Sequence, residues 1–200
     1  MVLLAPLEVI GKPARAASHK TGVNCSPVSG FPLPGRLRKV NVATMQIALY
    51  QPDIAQNTGT ILRLAACFGI EVHIIEPAGF PVSDRAFRRA GMDYLDQVAL
   101  TRHISWTAFD DWRRAQGLRL ILLSTQADAS YLGCSYDAGD VILFGRESAG
   151  VPQAVHQSAD QRVKIPMRAG LRSINVAVAC AMVIGEALRQ TGSFPAIGPR

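Results

Sequence analysis

Short apolar runs recur along the chain between Gly, Pro and polar residues, and they predict strands. Runs of this kind are typical of strands buried in a sheet. Longer segments between them have apolar residues three and four positions apart, which is typical of helices that cover a sheet. The predicted strands are Gln46–Tyr50, Glu71–Ile75, Gln97–Leu100, Leu118–Leu123, Val141–Phe144 and Val163–Ile165.

The segments between the strands predict four helices. Gly69 and Gly192 follow the first and the last of them, at the position where helices commonly end. Parallel strands need crossover connections, so the alternation predicts an α/β domain with a mostly parallel sheet flanked by helices. The pattern begins at Met45 and contains no internal repeat, and we therefore expect a single domain over residues 45–200. The predicted helices are Asn57–Phe68, Arg85–Ala90, Thr107–Gln116 and Ile174–Gln190.

Residues 1–44 differ in composition from the rest of the chain. They hold six of the 21 basic residues, one of the 15 acidic residues and five of the 12 prolines. The chain has a net charge of +6, of which residues 45–200 therefore carry only +1. A basic balance is typical of nucleic-acid binding proteins, but most of it lies outside the predicted domain. We expect residues 1–44 to be a poorly ordered extension or a translated leader before a start at Met45.

The cysteines and histidines form neither a disulfide pattern nor a metal-binding pattern. Cys25, Cys67, Cys134 and Cys180 show no C-x-x-C spacing, and the four histidines lack the spacing of metal ligands. No apolar run approaches the ~20 residues that span a bilayer. The apolar start of the chain also lacks the preceding basic residues of a secretory signal. These features predict a cytoplasmic protein without a bound metal and without membrane association.

Several common catalytic motifs are absent from the sequence. It contains no G-x-G-x-x-G, no G-x-x-x-x-G-K-[ST], no G-x-S-x-G and no H-E-x-x-H. This argues against dehydrogenases, P-loop enzymes, common hydrolases and zinc proteases. A ligand that resembles a nucleotide would need a different loop arrangement.

Three loops place polar side chains beside glycines at strand ends, where α/β proteins form ligand sites. Asn57 and Arg63 lie six positions apart on the first helix, so an ideal helix puts them on different faces. Glu147 lies between glycines at the exit of a buried strand, where an unpaired carboxylate is costly. We expect Ser173 to cap the last helix, and Asn175 to bind a ligand or the backbone. The first and third loops also have an ordinary interpretation as helix caps, whereas a plain turn explains the glycines of the second loop but not Glu147.

The chain resembles the SPOUT superfamily of RNA methyltransferases in three motifs that follow the family's order. They are N-x-G-x-x-x-R (57–63), F-G-x-E-x-x-G-x-P (144–152) and I-P-M followed by S-x-N (165–175). The 2′-O-methyltransferase branch is the most similar. Within it, the small stand-alone tRNA enzymes that methylate the ribose of the wobble nucleotide resemble the chain in IALYQPDIAQNTG, HIIEPAGF and RRAGMDY. The resemblance covers about residues 45–190.

This resemblance implies a parallel sheet whose C-terminal part forms a trefoil knot. It also implies a homodimer with the RNA site at the subunit interface, and S-adenosylmethionine as the cofactor. The implied cofactor-binding residues, which act largely through backbone groups, are Leu123, Gly145, Ile165, Ser173 and Ile174.

The implied reaction is methylation of the wobble nucleotide (cytidine or uridine 34) of tRNA, in leucine isoacceptors. We expect Arg63 to stabilise charge on the 2′-oxygen rather than act as a base, because a guanidinium stays protonated. The implied catalytic residues are Arg63, Asn57, Glu147, Ser173 and Asn175. The residues expected to contact the backbone of the anticodon stem-loop are Arg85, Arg88 and Arg89.

Two other functions are compatible with the same motifs. One is a SPOUT enzyme that methylates ribosomal RNA, although such relatives often carry an added RNA-binding domain that residues 1–44 do not resemble. The other is a catalytically silent RNA-binding relative, against which the complete set of motif residues argues. A dehydrogenase is a distant third because the glycine loop that binds its cofactor is absent.

Overall fold

The structure, a computed structural model, describes residues 44–82, 97–171 and 173–198. This part of the chain contains seven strands and four α-helices, and a 3-10 turn lies at Tyr131–Gly133. The strands are β1 (Gln46–Tyr50), β2 (Glu71–Ile75), β3 (Leu100–His103), β4 (Leu120–Leu123), β5 (Ala129–Ser130), β6 (Val141–Phe144) and β7 (Gln161–Lys164). The α-helices are α1 (Ala55–Phe68), α2 (Trp106–Ala115), α3 (Gln153–Ser158) and α4 (Val176–Thr191).

The strands form one parallel sheet in the order β3–β2–β1–β6–β4–β7–β5. Leu49 of β1 is level with Phe144 of β6, which is level with Leu123 of β4. Leu123 is in turn level with Val163 of β7. The loops after these four strands therefore leave the sheet at one edge. From β1 the chain continues to β2 on one side, whereas from β6 it continues to β7 on the other. Ligands of α/β proteins commonly bind at such a reversal.

Helices cover both faces of the sheet. Ile47 of β1 packs with α1 and α4 on one face. The next residue, Ala48, packs with Phe109 of α2 and Val155 of α3 on the opposite face. Burial on both faces explains why the central strands β4 and β6 are apolar at almost every position. The predicted α/β class, with a parallel sheet between helices, is confirmed.

Both long helices end at the predicted glycines. Gly69 has φ 66° and donates its backbone N–H to carbonyl groups of the last turn of α1. Gly192 has φ 64° and donates to the carbonyl of Leu188 in α4. Residues with a Cβ rarely adopt this left-handed conformation, so glycine at each position gives the helix a defined end.

The strand predicted at Gln97–Leu100 is wrong in position. The strand observed in this region, β3, extends from Leu100 to His103. Its pairing with β2 begins with Leu100 opposite Val72 and ends with the buried His103. Other boundaries of predicted elements shift by one or two residues. The pattern also does not indicate β5 or α3, which are too short to show a period.

Some sequence predictions are not tested by the described residues. The predicted extension lies outside them, apart from Thr44. The predicted helix Arg85–Ala90, which carries the three predicted RNA-binding arginines, also lies outside them. The trefoil knot stays a prediction. None of the helices in the described ranges is long and apolar enough to cross a membrane.

A pair of buried histidines joins β2 and β3 to helix α2. Nδ1 of His73 lies 3.1 Å from Nε2 of His103, and Nε2 of His73 lies 3.1 Å from Oε1 of Gln46. The His73 ring also lies against Trp112, with ring centroids 4.5 Å apart. Because Oε1 of Gln46 only accepts, His73 is protonated on Nε2 and His103 donates to its Nδ1. Burial is the main cause that lowers the pKa of His73 from 6.5 to about 4, and the charge of a protonated His103 contributes to the same shift.

Acidification is therefore expected to destabilise the protein between about pH 6.5 and pH 4. In this window the unfolded chain binds a proton at His73 and the folded chain does not, so the free energy of unfolding falls as the pH falls. The shift corresponds to roughly 3 kcal/mol. Urea unfolding across this window measures the loss, and His73→Phe is expected to reduce it. If the free energy of unfolding fell equally in the unaltered protein and in His73→Phe, the loss could not be assigned to His73.

Candidate active site

A cavity of about 580 Å³ lies at the carboxyl edge of the sheet. The segments after β1, β4, β6 and β7 form its wall, together with α3 and the start of α4. Four strands that are distant in the sequence therefore contribute to one site. Eight of the nine predicted catalytic and cofactor-binding residues line it: Asn57, Leu123, Gly145, Glu147, Ile165, Ser173, Ile174 and Asn175.

Arg63 is the predicted site residue that does not line this cavity. It lies on α1, six positions after Asn57, and its side chain is exposed. The rotation of an α-helix over six residues accounts for this difference in direction. The fold of one chain therefore does not bring Arg63 together with the other predicted catalytic residues.

A continuous chain of hydrogen bonds crosses the wall of the cavity. Nδ2 of Asn57 donates to Oε1 of Glu147 at 3.1 Å, and the backbone N–H of Asp53 donates to Oε2 at 2.9 Å. Nδ2 of Asn175 donates to Oδ1 of Asn57 at 2.9 Å. Oδ1 of Asn175 accepts the backbone N–H of Ala177 in α4 at 2.9 Å. We call Glu147, Asn57 and Asn175 the polar relay.

The carboxylate of Glu147 determines the direction of every hydrogen bond in the polar relay. A carboxylate only accepts, so Asn57 turns its amide nitrogen to Glu147 and its oxygen to Asn175. Asn175 then donates with its nitrogen, and its oxygen caps α4. The prediction that Ser173 caps this helix is therefore wrong. Ser173 instead lies exposed on the cavity wall.

Asp53 is a site residue that the sequence pattern does not indicate. Nη2 of Arg146 donates to its Oδ1 at 2.8 Å, and the backbone N–H of Ser148 donates to its Oδ2 at 3.1 Å. Hydrogen bonds from Arg146 and then Ser148 lower the pKa of Asp53 to about 2. The available signal was its position just after Pro52, at the exit of the first strand. Asp53 holds the loop after β6 against the loop after β1.

Gly145 allows the loop that carries Glu147 to close on itself. Arg146 and Gly150 exchange two backbone hydrogen bonds of 2.9 Å each. A Cβ atom at position 145 would lie 2.7 Å from the carbonyl carbon of Gly150, a contact that real Cβ atoms essentially never make. Glycine at position 145 is therefore a steric requirement of this loop, whereas Gly150 has φ 66°, a left-handed conformation that favours glycine.

Glu147→Gln is expected to lower the free energy of unfolding by about 1–2 kcal/mol, because the new NH2 group faces either the amide of Asn57 or the backbone N–H of Asp53, and both of these groups donate. If Asn57 turns over to accept, Asn175 loses its orientation as the cap of α4. Urea unfolding at pH 7 measures the loss. The matched control is Glu76→Gln, which removes a surface ion pair with Arg102 and is expected to cost less. Equal effects of the two substitutions would show that the polar relay does not stabilise these loops.

Comparison with known proteins places this site in a family. The amino-acid sequence matches the SpoU rRNA Methylase family over residues 44–185. A tRNA (cytidine(34)-2'-O)-methyltransferase of Beijerinckia indica is 66% identical over 148 residues, which are 74% of this chain and 92% of the relative. A structure solved to study the 2-OH methylation of C/U34 on tRNA has a TM-score of 0.70 at 39% identity, covering 75% of this chain and 97% of that chain.

A third match carries a bound cofactor. The SpoU methyltransferase AviRb of Streptomyces viridochromogenes, in complex with the cofactor AdoMet, has a TM-score of 0.68 at 26% identity. The matched region covers 76% of this chain and 62% of that chain. The family match includes β1 to β7 and the three loops of the polar relay, which confirms the predicted resemblance to RNA 2′-O-methyltransferases. The chain therefore belongs to the SpoU rRNA methylase family of methyltransferases.

Proposed function

We propose that this protein methylates the ribose 2′-hydroxyl of the wobble cytidine or uridine of tRNA, with S-adenosylmethionine as the methyl donor. The structural observation that carries the proposal is the polar relay on the wall of a cavity of cofactor size. The tRNA (cytidine(34)-2'-O)-methyltransferase that is 66% identical supports the choice of substrate. Leucine isoacceptors are the tRNA species that we expect from the resemblance.

The residues of the cavity fit S-adenosylmethionine. Its volume, about 580 Å³, lies within the range of small-molecule sites. Leu123, Ile165 and Ile174 offer apolar surface, and Ser124, Thr125 and Gln126 offer polar side chains. S-adenosylmethionine, when bound, supplies a methyl group that is activated by a positively charged sulfur. The same kind of cofactor is bound in the AviRb structure.

The contribution of this chain is to position the reactants and exclude water, which alone lowers the barrier of a displacement reaction substantially. The polar relay joins the loops after β1, β6 and β7, so that each of them holds the others in place. Both oxygens of Glu147 accept hydrogen bonds within the protein. We therefore assign Glu147 a positioning role rather than the role of a general base.

Arg63 is proposed to act from a second copy of the chain. Its exposed position on α1 lies outside its own cavity. Helix α4 carries exposed apolar side chains at Val178 (53%) and Met182 (38%), and a patch of this kind is typical of an interface. In the homodimer implied by the resemblance, the RNA site lies between the subunits, where Arg63 of one subunit meets the cavity of the other. There the guanidinium stabilises charge on the 2′-oxygen.

The RNA itself is proposed to contact surface groups around the cavity. Ser173 is exposed on the wall of the cavity and carries a hydroxyl group. The arginines at positions 85, 88 and 89 are expected to bind backbone phosphates of the anticodon stem-loop, since such contacts position RNA without reading its sequence.

Mass spectrometry of tRNA nucleosides tests the proposed reaction. tRNA from a strain that lacks the gene is incubated with the purified protein and S-adenosylmethionine, and the anticodon fragments are analysed. We expect 2′-O-methylcytidine or 2′-O-methyluridine to appear at the wobble position only when the cofactor is present. Ribosomal RNA from the same strain is the control. Methylation of ribosomal RNA alone, or of neither RNA, would contradict the proposal.

Arg63→Ala is expected to lower the turnover number by roughly 100-fold, which is typical for loss of one group that stabilises developing negative charge. Binding of S-adenosylmethionine should not change, because Arg63 lies outside the cavity. Methyl transfer to tRNA and calorimetry measure the two quantities. Arg114→Ala, an exposed arginine on α2, is the matched control and should have normal turnover.

Mixing two inactive variants tests whether Arg63 acts across the interface. Gly145→Val is designed to block cofactor binding, because its side chain collides with Gly150. In a mixed dimer, the Arg63→Ala subunit supplies an intact cavity and the Gly145→Val subunit supplies Arg63. If Arg63 acts on the cavity of the partner subunit, this dimer has one complete site. If Arg63 acts on the cavity of its own subunit, the dimer has none. In the first case, random mixing would restore about a quarter of the normal activity. No recovery in mixed dimers, isolated through two different tags, would overturn the assignment.

A further inference from the structure

Nε2 of His156 is buried and has no hydrogen-bond partner in the described part of the chain. Among the described residues, it is the one buried side-chain nitrogen or oxygen atom in this situation. His156 belongs to α3 and is one of the residues that line the cavity. A buried polar atom without a partner has lost its contacts with water and gained nothing in exchange. A molecule in the cavity would restore the missing hydrogen bond.

The backbone around His156 is held from both sides. Its N–H donates to the carbonyl of Pro152 at 3.0 Å, and its carbonyl accepts from Nε of Arg162 at 2.7 Å. The preceding residue, Val155, is only 2% exposed and packs in the core beneath the sheet. These contacts fix the backbone of α3 at His156, one of the residues that line the cavity.

We propose that Nε2 of His156 hydrogen-bonds to the nucleoside half of the cofactor. This inference rests on the proposed function, in which S-adenosylmethionine occupies the cavity. The adenine and ribose groups carry neutral donors and acceptors, which suit an imidazole nitrogen in a buried site. The amino-acid half is a zwitterion and calls for charged partners or clustered backbone groups.

The other polar residues of the wall agree with this choice. The segment after β4 contributes the neutral side chains of Ser124, Thr125 and Gln126 to the cavity. The charged lining residues Arg146 and Glu147 lie on the loop after β6, and both are hydrogen-bonded to groups of the protein. The charged lining residues thus already have partners within the protein, which leaves the neutral side chains of the wall and Nε2 of His156 for a neutral part of the ligand. His156 is a positioning residue for the cofactor.

Calorimetric titration of the full chain tests the proposal with three ligands: S-adenosylmethionine, S-adenosylhomocysteine and 5′-methylthioadenosine, which lacks the amino-acid half. His156→Phe keeps a ring of similar size without a hydrogen-bonding group, and is expected to weaken binding of all three about 10-fold. His156→Gln places an amide close to the position of Nε2 and should recover most of the affinity. Gln157→Ala, an exposed neighbour on α3, is the matched control.

Steady-state kinetics provide a second measurement. His156→Phe should raise the KM for S-adenosylmethionine and leave the KM for tRNA unchanged, whereas a general loss of structure would change both. Unchanged affinity of His156→Phe for 5′-methylthioadenosine would overturn the proposal, as would a loss confined to ligands with the amino-acid half. If the unaltered protein binds none of the ligands, the proposed function fails and this inference fails with it. If it binds and methylates normally while His156→Phe binds equally well, only the role of His156 is wrong.

Discussion

The site depends on one constraint, which is that the carboxylate of Glu147 can accept hydrogen bonds but cannot donate them. This constraint orients the amide of Asn57, and Asn57 in turn orients the amide of Asn175. The last oxygen in the series is thereby directed at the start of α4. One charged group therefore couples three loops of the cavity to the position of the longest helix in the described part of the chain. A substitution that changes only the donor and acceptor pattern reaches all of them.

The parallel sheet makes this coupling possible. Its register brings the ends of β1, β4, β6 and β7 to the same level. The connections from β1 and β6 run to opposite sides of the sheet, which leaves room for a ligand between the two strand ends. The loop after β6 is held twice, by the polar relay and by the bonds of Asp53 with Arg146 and Ser148. A wall fixed in this way is suited to positioning, since little reorganisation is needed when the reactants bind.

The accuracy of the sequence prediction differs between the elements, and even within the sheet the limits of β4 and β7 shift by up to two residues. The strands β1, β2 and β6 lie inside the sheet, and their apolar runs predict their limits correctly. The edge strand β3 contains Thr101 and Arg102 and resembles a loop, so its position is wrong by a few residues. Helix α3 has six residues, which is too few to show a helical period, and yet it carries His156.

The sequence by itself determined the chemistry at the strand ends: an amide at Asn57, a carboxylate between glycines at Glu147 and a second amide at Asn175. The tertiary structure decided which of these groups meet. Asn57 and Glu147 are 90 positions apart, and Asn57 and Asn175 are 118 apart, so their contact depends on strand order and register. Local patterns encode burial and helix limits, because those depend on neighbouring residues. Hydrogen bonds between distant loops depend on the completed sheet, whereas the separation of Arg63 from Asn57 follows from helical spacing alone.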